Sequence, residues 1–229
     1  MSESVWLRVG EAYAAVRPRC GGTVDDLGLV PERSGGAEGT GSPVRVLAGQ
    51  QEGERDGACN PGLFRGRLLV PFSDRIPRGH YTFEGTSHSL PVNDADTGDA
   101  IHGFLYSRPM RVRRHEREEL ELETSIGADE YSGYPFSLRV RTAYRLEPSS
   151  FRLSVEVENS GDTPAPVSLG WHPYLTLPGG DLVDSLSLQL PARRYVAVDE
   201  ELIPTGELPD VQGSRWDFRE PRRIGAGEL

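Results

Sequence analysis

The sequence contains no lysine; all 25 of its cations are arginine. That excludes a Schiff-base lysine, a lysine general base and a phosphate-binding Walker lysine. Cysteine is scarce too. Cys20 and Cys59 are the only two, and no CxxC occurs, so one disulfide can form but a cysteine-built zinc site has no support. The HxH and HExxH spacings are missing, and no metal is expected. No run approaches the 18 apolar residues that would suggest a membrane span, so no membrane partner is expected. The start, Met1–Tyr13, has no basic region followed by an apolar run. A cytoplasmic location is the expectation. Positive charge is also short, 25 cations against 35 carboxylates for a net charge of −10, which argues against a nucleic-acid partner. Chemistry is left to histidine, carboxylates, arginine or a hydroxyl.

Glycine and proline are abundant. The 27 Gly and 18 Pro make up roughly a fifth of the 229 residues, against about 12% in average chains. Turn residues at that density interrupt long helices and favour short strands. The length fits one domain, at most two. Period-two alternation is plain in Phe151, Leu153, Val155 and Val157 against Arg152, Ser154, Glu156 and Glu158. Leu138, Val140, Thr142, Tyr144 and Leu146 supply a partner strand, and Glu147-Pro148-Ser149-Ser150 supplies the turn, so 137–158 reads as a hairpin. Val5, Leu7 and Val9 alternate near the start, as do Leu186, Leu188 and Leu190. Between Met110 and Ile126 the apolar residues fall on even positions, which predicts two strands joined by the charged centre Arg113–Glu119. Glu32–Pro43 and Gln50–Gly62 read as loops. The fold class is mainly β, an antiparallel sandwich with few or no helices.

Three clusters set polar residues among apolar ones. In Leu68–Pro77, Asp74 and Arg75 follow an apolar run; they form either a local ion pair or a planar fork for sugar hydroxyls or a carboxylate. In Leu90–Phe104, the segment Leu90-Pro91-Val92-Asn93 leads through an acidic loop to Ile101-His102-Gly103-Phe104. His102 there is either a core histidine or a tuneable proton carrier. In Leu169–Leu175, His172 stands between Trp171 and Pro173-Tyr174, either an aromatic corner of the core or a site in which aromatic faces meet a sugar. His80, His88 and His115 read as solvated. The basic run Arg111–Arg114 is followed at once by acids and reads as a solvated face.

Taken in order, Pro71-Phe72-Ser73-Asp74-Arg75-Ile76, Gly79–Gly85, Leu90–Asn93, Ile101–Phe104, Gly170–Tyr174, Ile203–Glu207 and Trp216–Arg219 resemble the aldose 1-epimerase (galactose mutarotase) family, from about Leu63 onward. The resemblance implies an antiparallel β-supersandwich that binds hexopyranoses in an open cleft and interconverts α and β anomers without a cofactor. It implies His172 as general acid at the ring oxygen, His102 as the hydrogen-bonding partner there and Arg75 as the hydroxyl anchor. It places Asp74, Asn93 and Trp171 in the substrate-binding set.

Two departures follow from the same resemblance. Asp74 stands where the family often has Asn. The family's catalytic Glu and a sugar-binding Asp lie in a later segment, and no residue of this chain matches either. A single mutarotase-like domain over 1–229, incomplete at its C-terminus, is therefore expected, with exposed sheet edges that invite contact with a second copy. The alternatives are a hexose 6-phosphate substrate, with Arg78 or Arg108 contributing, a non-catalytic sugar-binding protein, and a β-sandwich interaction module with no sugar site.

Overall fold

The computed structural model describes residues 4–32, 41–47, 59, 63–179 and 182–225. Most of the two expected loops, Glu32–Pro43 and Gln50–Gly62, lie outside these residues. The chain divides into two compact units, Met1–Thr176 and Leu177–Leu229.

The first unit opens with an antiparallel sheet of four strands in chain order: β1 (Val5–Val9), β2 (Ala12–Arg17), β3 (Thr23–Leu29) and β4 (Val44–Arg45). Five short strands follow: β5 (Leu68–Leu69), β6 (Arg75–Ile76), β7 (His80–Phe83), β8 (Thr86–Ser89) and β9 (Ala100–Ile101). The second four-stranded sheet is again sequential, with β10 (Arg111–His115), β11 (Glu119–Ile126), β12 (Leu138–Leu146) and β13 (Phe151–Asn159). Next, β14 (Gly170–Trp171) pairs back with β5. In the second unit, β15 (Ser187–Leu188) pairs with β16 (Arg222–Arg223). Helical turns among the described residues are single 3₁₀ turns, such as Pro18–Cys20 and Leu105–Ser107.

The expected hairpin forms as read. β12 and β13 pair from Leu138 opposite Asn159 to Leu146 opposite Phe151, and the Glu147 amide closes the turn on the Ser150 carbonyl at 2.9 Å. The two strands expected between Met110 and Ile126 also form, but their link is shorter than expected. Arg113–His115 extend β10, because cross-strand carboxylates are there to pair with them. Val112, one of the apolar residues on even positions, is exposed; the register shifts between Val112 and Arg114 and breaks the alternation. The Leu186–Leu190 alternation yields only the two residues of β15.

One face of β11 and β12 is closed against the first sheet. Leu120, Leu122, Ile126, Leu138, Val140, Tyr144 and Leu146 are buried there with Leu7, Ala14, Val16 and Val24. Each large side chain so buried contributes roughly 2 kcal/mol. Backbone and side-chain bonds tie the sheets across long stretches of chain. The Tyr144 hydroxyl donates to the Gly22 carbonyl at 2.6 Å across 122 residues. The Arg8 amide donates to the Arg117 carbonyl at 2.7 Å, and the Val30 amide to the Pro148 carbonyl at 2.8 Å. The outer face of the second sheet carries arginine–glutamate pairs, including Arg141 with Glu123 and Glu156 and Arg145 with Glu119. The run Arg111–Arg114 is part of that face, paired with Glu123, Glu116 and Glu119.

Charge is also buried. Arg17 Nε donates to Asp25 at 2.8 Å, with both side chains nearly inaccessible. Beside them, Cys20 forms a disulfide with Cys59. Arg67, fully buried at the start of β5, donates to Thr23 Oγ1 at 3.1 Å and the Tyr106 carbonyl at 2.9 Å. These bonds fix the segment on which the candidate site is built.

Candidate active site

His102 and His172, which are 70 residues apart, meet with their ring centroids at 5.4 Å, close to perpendicular. Each arrives by a different device. His102 follows β9, which is held by β6, with Arg75 opposite Ile101. Its backbone is left-handed (φ 64), a conformation uncommon for a side chain with a Cβ and one that costs of order 1–3 kcal/mol. Gly103 continues in the same region (φ 70), where an added Cβ would meet the Val70 carbonyl oxygen at 2.2 Å. Only glycine fits at 103, and the turn it allows swings His102 out of the strand direction. The His102 amide then donates to the Asp74 carbonyl at 3.3 Å.

His172 follows β14. Its amide donates to the Arg67 carbonyl at 2.9 Å, and its carbonyl accepts from the Gly66 amide at 2.8 Å. Gly66 is packed so closely that a Cβ would lie 2.0 Å from the Val24 carbonyl oxygen. Its own carbonyl accepts from Trp171 Nε1 at 3.2 Å.

The His102 tautomer is fixed. Nδ1 lies 2.9 Å from the Ser73 carbonyl, which can only accept, so Nδ1 carries the proton and neutral His102 presents the Nε2 lone pair. Burial lowers the pKa of both histidines below the usual 6.5, since the ring loses water that would solvate its charged form. His172 adds repulsion at His102, while the Asp74 carboxylate opposes the shift at both rings. The shift favours the uncharged form of both rings.

Arg75 stands beside them on β6. Its backbone amide donates to Asp74 Oδ1 at 2.7 Å, and its Nη1 lies 3.6 Å from the same oxygen. Arg75 Nε is buried and has no hydrogen-bond partner among the described residues, a costly arrangement that a bound hydroxyl would relieve. Of the two readings of this pair, the local Asp74–Arg75 ion pair is present in the structure. Asp74 itself is the more exposed of the two.

Asn93 and Trp171, the other two expected binding residues, have partners within the scaffold. Asn93 clamps the backbone of Ile101, accepting from its amide at 2.7 Å and donating to its carbonyl at 2.9 Å. Its second amide hydrogen is used on the Tyr106 hydroxyl at 3.1 Å. Asn93 therefore positions the strand that delivers His102. Trp171 lines a groove with Leu27, Phe151 and Leu153.

Two further aromatic rings lie against the histidine pair: Phe64, which the sequence did not single out, and Tyr174, which it did. Phe64 lies 4.5 Å from the His102 ring and 5.1 Å from Tyr106, edge-on to both. Its φ of 55 is the only local sign of constraint, and no sequence pattern reveals it. Tyr174 stacks on His172 at 5.4 Å, and the Arg65 guanidinium lies 4.6 Å from the Tyr174 ring. Of the remaining histidines, His80 and His115 are exposed as expected. His88 is a correction: it is half-buried, stacked on Tyr81 at 4.9 Å and close to Phe136. Arg108 is committed to Glu130 and Tyr131, and Arg78 is exposed. Among the described residues no three His, Cys, Asp or Glu side chains converge as a metal site would require.

The motif residues Ile203–Glu207 and Trp216–Arg219 belong to the second unit. There Arg219 holds the Asp217 carboxyl down to about 2 through a bond of 2.7 Å.

The sequence model of a family described as aldose 1-epimerase matches residues 50–228. The Escherichia coli (strain K12) protein YihR is 35% identical over 166 residues, which is 72% of this chain and 52% of that protein. Galactose mutarotase of Bos taurus is 27% identical over 176 residues, 75% of this chain and 50% of the relative. The crystal structure of a GalM/aldose epimerase homologue from C. elegans superposes with a TM-score of 0.78 at 21% identity, covering 97% of this chain and 66% of that one. The antiparallel β architecture is shared with that structure. The chain spans about half the length of the curated relatives it matches.

Proposed function

The chain belongs to the aldose 1-epimerase family, and from that premise we propose that the His102–His172 cluster binds a free aldohexose and promotes interconversion of its anomers. The observation that carries this reading is the approach of the buried His102 ring and the half-buried His172 ring beside Arg75, whose Nε has no hydrogen-bond partner among the described residues. His172 is assigned the proton at the ring oxygen. Its lowered pKa makes the imidazolium a stronger acid than free histidine. As the proton reaches the ring oxygen, the bond from that oxygen to the anomeric carbon breaks and the anomeric hydroxyl passes its own proton to a water molecule. The aldehyde rotates about C1–C2 and closes on the other face. His102 donates to the ring oxygen only when Nε2 is also protonated, and the Arg75 fork holds hydroxyls. Phe64 and Tyr174 offer faces to the sugar's C–H groups.

A free hexose is favoured over a hexose phosphate because Arg108 is already paired with Glu130. We propose the cytoplasm as the compartment.

The test is the decay of optical rotation of freshly dissolved α-D-galactose and α-D-glucose, beside His172→Asn. Ring opening also needs that acceptor for the anomeric proton, and the assay reads whether the site admits it. The expected outcome is decay faster than the spontaneous rate, returning to that rate in the variant. No acceleration by protein that is folded by circular dichroism overturns the catalytic reading, and sugar binding by the same sample then supports a binding role.

A further inference from the structure

Strand β13 ends its sheet. Among the described residues it bonds to β12 alone, leaving its other edge with open amides and carbonyls over nine residues. Its inner residues Phe151, Leu153, Val155 and Val157 are only half-buried, unlike their counterparts on β12. They border the groove lined by Leu27, Leu29, Leu169 and Trp171. An apolar face beside an unpaired edge is where a further strand would fit.

The charges on the outer face say what that strand is. Arg111, Arg113, Arg114, Arg139, Arg141 and Arg145 each meet a carboxylate. Arg152 meets none among the described residues, and in register it faces Arg145. Like charges directly opposite in a sheet are unfavourable. The strand reads Phe-Arg-Leu-Ser-Val-Glu-Val-Glu-Asn from 151 to 159. Folded against itself in antiparallel sense about Val155, it matches its own charges end to end. Arg152 falls opposite the partner's Glu158 and Ser154 opposite the partner's Glu156, while Leu153 falls opposite the partner's Val157. Each match occurs twice by symmetry. All nine residues pair only in this register.

We propose that β13 is a homodimer interface, pairing antiparallel with the same strand of a second copy about Val155 so that two four-stranded sheets become one of eight. The polar set stays on the outer face and the apolar set on the inner one, because the paired positions share parity.

Sedimentation velocity over a concentration series tests this with the full chain. The expected wild-type result is a rise from 25.2 kDa to twice that mass. Arg152→Glu puts carboxylates opposite each other at the interface, yet gives Arg145 a partner within the subunit, so its fold is not at risk. Glu158→Arg opposes two arginines at the interface as well, and because it also removes the carboxylate that meets Arg139 within the subunit at 3.0 Å, its fold is checked by circular dichroism against wild type. Each variant alone is expected to dimerise at least about tenfold more weakly, two favourable pairs having become two unfavourable ones. An equal mixture of the two restores both pairs and is expected to recover the dimer. A wild-type protein that stays monomeric overturns the proposal. So does a dimer that neither variant weakens, or a mixture that fails to recover.

Discussion

His102 joins backbone strain, a fixed tautomer and a desolvated ring in a single residue. The protein keeps the strain because Gly103, the Ser73 carbonyl and the Asp74 carbonyl define the position from three sides. Its titration has a consequence for stability. With the folded pKa below 6.5, the unfolded chain binds more protons as pH falls through that region. The contribution of His102 is therefore fully present above pH 6.5 and is lost as pH drops through the lowered folded value, and His172 behaves in the same direction. The urea midpoint is expected to fall between pH 7.5 and 5.5, and to fall less in His102→Gln; equal slopes would count against the burial argument. At this scale the histidines and Arg75 were legible because polar residues in apolar, turn-bounded runs stand out. Phe64 and Tyr106 were not, since an aromatic ring in such a run looks the same whether it faces a core or a cleft.

Among the elements, β9 depends on the side chain of Asn93. Asn93 reads as a sugar ligand by its place in a motif, but both its amide hydrogens and its carbonyl oxygen serve the scaffold. Asn93→Ala leaves the amide and carbonyl of Ile101 without those partners, an expected loss of about 1–3 kcal/mol in chemical denaturation. If activity follows the proposed site, its turnover falls more than its sugar affinity, because β9 aims His102 and does not touch the hydroxyls. A larger loss of affinity than of turnover would return Asn93 to the binding set. Alternation over five residues or more made β1, β12 and β13 legible, though the same pattern at Leu186–Leu190 yields only the two residues of β15. The two-residue strands β5, β6, β9 and β14 were not legible, although they carry the site; two residues have no period, and their pairing is set by tertiary contacts.

For the whole molecule, the disulfide is the feature with the most direct thermodynamic weight. Cys20 and Cys59 are 39 residues apart, and closing a loop of that length is worth about 3–4 kcal/mol through the unfolded chain. Reduction is expected to lower the denaturation midpoint accordingly, measured with and without dithiothreitol. An unchanged midpoint would show the bridge to be open in the protein tested. Thiol alkylation of protein taken directly from its cells also checks the proposed compartment, because a reducing cytoplasm keeps both cysteines as thiols. The pairing was available from a cysteine count of two, whereas the division into two units was not, since no composition shift marks residues 176–177.

The bond from Tyr144 to Gly22, with its neighbours at Arg8 and Val30, bears on how such a chain comes off the ribosome. The first sheet is synthesised early, yet its apolar face closes only on strands made more than a hundred residues later. During that interval Leu7, Ala14, Val16 and Val24 have nothing to cover them, and contacts so distant in sequence form slowly. Translation speed across 100–150, and any chaperone that shields the nascent first sheet, would therefore govern yield more than the stability of the finished protein does.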